Sequence, residues 1–185
     1  MNKMNSAAER RPFLTVQTMS LIGLMTALTC VLGPLAIPFS PVPISFTNLA
    51  VYLAVYVLGM KAGAVSYLVY LLLGMAGLPV FSGFTGGFGK LAGPTGGYLI
   101  GFIFMAVISG FFIDHFPGKK LFHAAGMVLG TGVCYLFGTS WLSHQLGVSF
   151  TAGLASGVIP YLPGDAAKIL FALVIGSRLR REIVR

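Results

Sequence analysis

Residues 46–81 read FTNLAVYLAVYVLGMKAGAVSYLVYLLLGMAGLPVF, thirty-six positions in which Lys61 is the only formal charge. As one continuous helix they would run about 54 Å at 1.5 Å per residue, whereas the hydrocarbon core of a bilayer is about 30 Å thick. The stretch must therefore hold two spans. Gly59-Met60-Lys61-Ala62-Gly63 is the natural place to turn, because glycine permits a tight reversal and an ammonium group prefers water. The spacing predicts a short span over 47–58 and another over 62–77, and with them an all-α integral membrane protein.

Composition agrees. An average globular chain carries roughly 25% charged residues. This one carries 9%, with 56% hydrophobic residues and a mean hydropathy of +0.90. That leaves too little polar surface for a soluble enzyme or a disordered module. A span takes about 20 residues, so residues 1–185 read as a single membrane domain.

Punctuation in the apolar runs gives the other spans. The first covers 15–37 and ends at Pro34 and Pro38. The fourth covers 98–113, the fifth 121–142 and the sixth 163–181, the last with proline at its start, where a missing N–H does no harm. Residues 78–97 hold Pro79, Pro94 and seven glycines. They are too irregular for a helix and too apolar for a solvated loop. A flexible tether would have more serine and fewer aromatics than Phe81, Phe84 and Phe88 supply, so this segment reads as an ordered outer lid. Residues 143–160 form a second connector.

Six spans put both termini on one side. Ten of the twelve Lys and Arg fall there: Lys3, Arg10, Arg11, Lys61, Lys119, Lys120, Arg178, Arg180, Arg181 and Arg185. The opposite side has Lys90 alone, and Lys168 lies inside the sixth span. The positive-inside rule makes the crowded side, and both termini, cytoplasmic. Charges that flank spans in this way are topology signals, so the net charge of +8 does not point to nucleic acid. Arg10-Arg11 before an apolar run resembles an export signal. The run to Phe39 is longer than a signal-peptide core of about 7–15 residues, so it reads as a first span in a multi-pass protein of the cell membrane.

Catalytic patterns fail. A phosphate-cradling loop needs glycine five positions before Gly89 and Ser or Thr after Lys90, where Phe84 and Leu91 stand. Any energy from ATP must come from another chain. Gly87-Phe88-Gly89-Lys90-Leu91-Ala92 follows no strand of a βαβ unit, which a dinucleotide site requires. His144 adjoins Ser143, which keeps an intramembrane hydrolase conceivable, although a histidine at a membrane interface needs no such role. Cys30 and Cys134 sit in apolar stretches and read as small buried hydrophobes. No metal site, cofactor or enzyme activity is expected.

Pro160-Tyr161-Leu162-Pro163-Gly164-Asp165-Ala166-Ala167-Lys168 carries the chemistry. Asp165 and Lys168 are three apart and share a helix face. Asp165 falls in the first turn, where the helix dipole favours a carboxylate. Lys168 lies deeper, where an ammonium costs roughly 2.5–3.5 kcal/mol and must face a cavity and an anion. The pair either satisfies itself or opens to a ligand. Gly93-Pro94-Thr95-Gly96-Gly97-Tyr98 in the lid offers close backbone approach and two hydroxyls. Gly23 and Ala27, four apart in the first span, offer a small surface to a partner helix.

These stretches, from Leu91 through Gly93-Pro94-Thr95-Gly96-Gly97-Tyr98 to Phe102, from Pro160 to Lys168, and from Pro41 to Val51, resemble the BioY family. Its members are biotin-specific substrate-binding (S) components of energy-coupling-factor transporters. The resemblance covers nearly the whole chain. It implies a six-helix S component that binds biotin near the outer face and joins a transmembrane coupling protein and two ATPases. Gly23 and Ala27 stand where the family has Ala-x-x-x-Ala for that contact. Thr47, followed by Asn48, aligns where many relatives have glutamine. The implied ligand set is Asp165, Lys168, Asn48, Thr47, Gly96, Gly97, Tyr98 and Phe88. Lys168 suits the biotin carboxylate, Asp165 or Asn48 the ureido ring, and the aromatic lid the apolar remainder. The alternative is an S component for another small anionic vitamin.

Overall fold

The computed structural model describes residues 15–38 and 42–183. Lys3, Arg10, Arg11, Phe39, Pro41 and Arg185 lie outside them. The elements in order are α1 (Val16–Leu32), a hairpin of β1 (Ala36–Ile37) and β2 (Ile44–Ser45), α2 (Thr47–Met75), α3 (Phe88–Ala92), α4 (Gly96–His115), α5 (Lys120–Leu146), α6 (Phe150–Gly157), a 3-10 turn (Ile159–Tyr161) and α7 (Leu162–Ile183). Four helical stretches, Thr47–Met75, Gly96–His115, Lys120–Leu146 and Phe150–Ile183, are long and apolar enough to cross a membrane, and α1 is a shorter apolar helix.

The first of these stretches is two helices. Gly59 has φ 76° and ψ −179°, which divides α2 into arms over 47–58 and 60–75. The arms fold back on each other, since a Cβ on Gly63 would lie 2.9 Å from the Cα of Val55. Eight residues along one straight helix would separate those positions by about 12 Å. Met60 begins the second arm, and its N–H donates to Asp114 Oδ2 at 2.7 Å, satisfying one of the N–H groups a helix start leaves free. Asp114 Oδ1 in turn accepts from Arg180 Nη2 at 2.8 Å. One carboxylate thus ties the reversal in α2 to the ends of α4 and α7.

With that division, α1, the two α2 arms, α4, α5 and α7 stand for the six expected spans. Boundaries differ in detail. The first helix stops at Leu32 rather than near residue 37, because Gly33-Pro34 ends it and residues 36–37 pair instead as Ala36↔Ser45 and Ile37↔Ile44. The expected 143–160 connector is largely helical: Ser149 accepts from Ala152 N and starts α6.

Helices meet where small residues let backbones approach. A Cβ on Gly101 would lie 3.0 Å from the Cα of Cys134, and one on Gly130 would lie 3.2 Å from that of Met105, which joins α4 to α5. The core is rich in tyrosine: Tyr52, Tyr56, Tyr67 and Tyr70 are fully buried. Hydrocarbon offers a hydroxyl no water, so each needs a protein partner. Tyr67 donates to Leu99 O at 2.8 Å and Tyr70 to Val80 O at 2.9 Å, while Tyr52 pairs with Thr131 and Tyr56 with His123 Nδ1.

The lid segment has structure of its own. Phe81 and Thr85 form a bridge, Gly83 N donates to Pro34 O at 3.0 Å and Gly87 N to Gly74 O at 2.7 Å. Trp141 Nε1 donates to Gly93 O at 2.9 Å and Gln145 Nε2 to Ala92 O at 2.7 Å, fastening the end of α3 to α5. The molecule therefore has two unlike ends. One carries the α2 reversal, the α4–α5 turn and the arginines of α7. The other carries the hairpin, the lid, α6 and the start of α7.

Candidate functional site

At the second end the hairpin delivers Ser45 to Thr47 beside the start of α7, and a cavity opens between them. Its space, open mouth included, is about 690 Å³. Val42, Leu99, Phe102, Met105 and Tyr161 form apolar walls, while Ser45, Asn48, Tyr135, Asp165 and Lys168 form a polar floor. Tyr161 is held to the hairpin by its hydroxyl, which donates to Val42 O.

Asp165 is the centre of that floor. Its Oδ1 accepts from Asn48 Nδ2 at 2.7 Å and from Lys168 Nζ at 3.0 Å, and its Oδ2 accepts from the Tyr135 hydroxyl. Three donors from α2, α5 and α7 thus stabilise one carboxylate that is only 12% exposed. A carboxylate offers about four acceptor sites, so one remains for an N–H brought by a ligand. Lys168, whose side chain is 11% exposed, also donates to Ser45 O at 2.7 Å. An ammonium has three donors, and no third acceptor for it lies among the described residues. Its Nζ sits 5.9 Å from the centre of the Phe46 ring. The site can therefore take an anionic group at Lys168 and an N–H group at Asp165 side by side.

Five of the residues expected from the sequence meet here: Thr47, Asn48, Tyr98, Asp165 and Lys168 all line the cavity. Thr47 Oγ1 accepts from Ser45 Oγ at 3.1 Å, and Tyr98 donates to Gly157 O at 3.1 Å. Gly96, Gly97 and Phe88 stand apart from the lining. A Cβ on Gly97 would lie 2.9 Å from Phe137 O, and Gly96 is pressed in the same way against Leu91. Their smallness seats the start of α4 against its neighbours. Phe88 is 65% exposed and Phe84 67%, while Phe81 is buried against Tyr70, with ring centres 5.7 Å apart. The lid contributes Ser82 and Thr95 to the wall instead of its phenylalanines. Sequence reasoning missed Tyr135, Thr131, Cys134 and Ser45. A hydroxyl deep in an apolar helix, with Thr131 one turn before Tyr135, was the available signal. His144 is exposed and stands away from this cavity.

Residues 3–185 match the BioY family. The chain belongs to the BioY family. It is 37% identical over 161 residues to the probable biotin transporter BioY of Pyrococcus horikoshii, covering 87% of this chain and 94% of that one. It is 37% identical over 159 residues to the biotin transporter BioY of Thermotoga maritima, covering 86% and 93%. The crystal structure of the S-component for biotin from an ECF-type ABC transporter superposes with a TM-score of 0.82 at 32% identity, over 90% of this chain and 92% of that one. BioY relatives are thus named for transport rather than catalysis. Together with the apolar helices, this makes the chain an all-α, multi-pass protein of the cell membrane with S-component architecture.

Proposed function

We propose that the chain is the biotin-binding, substrate-specificity subunit of an energy-coupling-factor uptake transporter. The observation that carries this is the pairing of Lys168 and Asp165 on the floor of one apolar-walled cavity, each with unused capacity. Biotin brings a carboxylate, a ureido ring with two N–H donors and one carbonyl, and an apolar thiophane ring. The carboxylate meets Lys168, a ureido N–H meets Asp165 or the amide of Asn48, and the thiophane lies against Tyr98, Phe102 and Met105. The Asp165–Lys168 pair is then both a helix-stabilising contact in the empty state and a recognition element in the filled one.

The chain carries no nucleotide motif, so any energy from ATP comes from another chain, and the likeness to the BioY family implies that a transmembrane coupling protein and two ATPases supply it. An open apolar groove between α1 and the second arm of α2 supports this part of the reading. Gly23, Ala27, Cys30, Val65 and Val69 line it, and a Cβ on Gly23 would meet nothing within 4 Å. A partner helix can approach there closely.

Equilibrium binding of labelled biotin to the purified full chain tests the reading. Saturable retention, displaced by unlabelled biotin and unaffected by other small anionic vitamins, is expected. Displacement by one of those vitamins in preference to biotin would move the substrate to that vitamin. Absence of retention by any of them would overturn the binding function.

A further inference from the structure

At the end opposite the cavity, a cleft of about 1,140 Å³ including its mouth opens between the first arm of α2, the start of α5 and the end of α7. Its floor is polar and already satisfied. His123 Nε2 faces Phe116 O at 2.8 Å, so that nitrogen carries the proton, and Nδ1 accepts from the Tyr56 hydroxyl at 3.2 Å. Arg180 is engaged with Asp114. Lys120 and Arg181, at the mouth, have no carboxylate within ion-pairing distance among the described residues, although Glu182 lines the same cleft. Lys61, Lys119 and Arg178 add to the positive charge of this end, and Asp114 and Glu182 are its only described carboxylates.

What lies beside the cations decides the ligand. Along α7, Arg181, Ser177, Val174 and Leu170 follow at spacings of four, three and four, which is one helix face. Val174 and Leu170 are exposed. Along α5, Lys120, Ala124 and Val128 follow at spacings of four, and Val128 is exposed. Both helices therefore run from a free cation at the membrane surface to bare apolar side chains below it. A free phosphate would use only the upper part of such a track. A phospholipid would use both, with its headgroup at the cations and its acyl chains along the apolar faces.

We propose that this cleft holds the phosphate headgroup of an acidic phospholipid of the inner leaflet, with Lys120 and Arg181 as its anchors. The site is independent of the biotin cavity. The test is native mass spectrometry of the purified full chain titrated with phosphatidylglycerol or phosphatidylcholine. One tightly held phosphatidylglycerol is expected. The pair Lys120→Gln and Arg181→Gln should weaken its retention about 30-fold, from the usual contribution of a cation near an anionic surface. The pair Lys61→Gln and Arg178→Gln removes the same charge from outside the cleft and should leave retention nearly unchanged. Equal loss in both double variants, or equal retention of phosphatidylcholine, would overturn the proposal in favour of general surface charge. Displacement of the lipid by millimolar inorganic phosphate would overturn it in favour of a free-anion site. Should the cleft double variant fail to fold, Lys120→Gln alone serves, with a loss of about fivefold expected and no loss refuting the site.

Discussion

Replacing Lys168 with alanine should lower affinity for biotin far more than affinity for a neutral biotin amide. Lys168 Nζ makes two hydrogen bonds, to Ser45 O at 2.7 Å and to Asp165 Oδ1 at 3.0 Å, in a site that is about nine-tenths closed to solvent. Removing one member of a buried, hydrogen-bonded charge pair costs about 2–5 kcal/mol. Here Asp165 keeps the Asn48 and Tyr135 donors, so it is not left bare, and the loss belongs near the lower end. That is about 2–3 kcal/mol, or ~30- to 150-fold in Kd. The biotin carboxylate still has to shed its water on entering but no longer meets a cation. The amide never gained that pairing, so its weaker binding should change little. Titration calorimetry or a retention assay on both ligands with both proteins forms a thermodynamic cycle, and its coupling term isolates the carboxylate–lysine contact. A coupling term near zero would refute the reasoning. Lys168 would then serve only the helix, and the carboxylate would sit elsewhere, with Lys90 the next cation to test.

Gly23→Leu with Ala27→Leu should leave biotin binding intact and weaken co-purification with the coupling protein, because bulky side chains fill an open groove; normal assembly would put that contact on another face. Hydrogen exchange at residues 86–97 should slow when biotin is added, since the lid then closes over an occupied cavity whose wall it shares through Ser82 and Thr95; unchanged exchange would make the lid a fixed wall. In a background without Cys30 and Cys134, single cysteines at Lys61 and Lys119 should react only from the cytoplasm and those at Thr85 and Ser149 only from outside. External labelling at position 119 would invert the orientation.

Much was legible in the sequence because the bilayer imposes a one-dimensional constraint. Span count follows from run length against a hydrocarbon thickness, as with residues 46–81, and sidedness follows from where Lys and Arg lie. The meeting of Asp165 with Lys168 was also local, a matter of helical spacing. Everything lateral was left to the tertiary structure. Asn48 reaches Asp165 across 117 positions, and Tyr135 reaches it across 30. Nothing in the apolar helices marks which side faces those partners, because lipid-facing and core-facing residues are alike apolar when the solvent is hydrocarbon. The same ambiguity hid the two roles of glycine. Gly59 turns the chain, while Gly96 and Gly97, placed from the sequence beside the ligand, instead let the start of α4 pack closely. A glycine's lack of a side chain is written in the sequence, but whether a turn, a ligand or a neighbouring helix uses the space is decided only by what the fold brings against it.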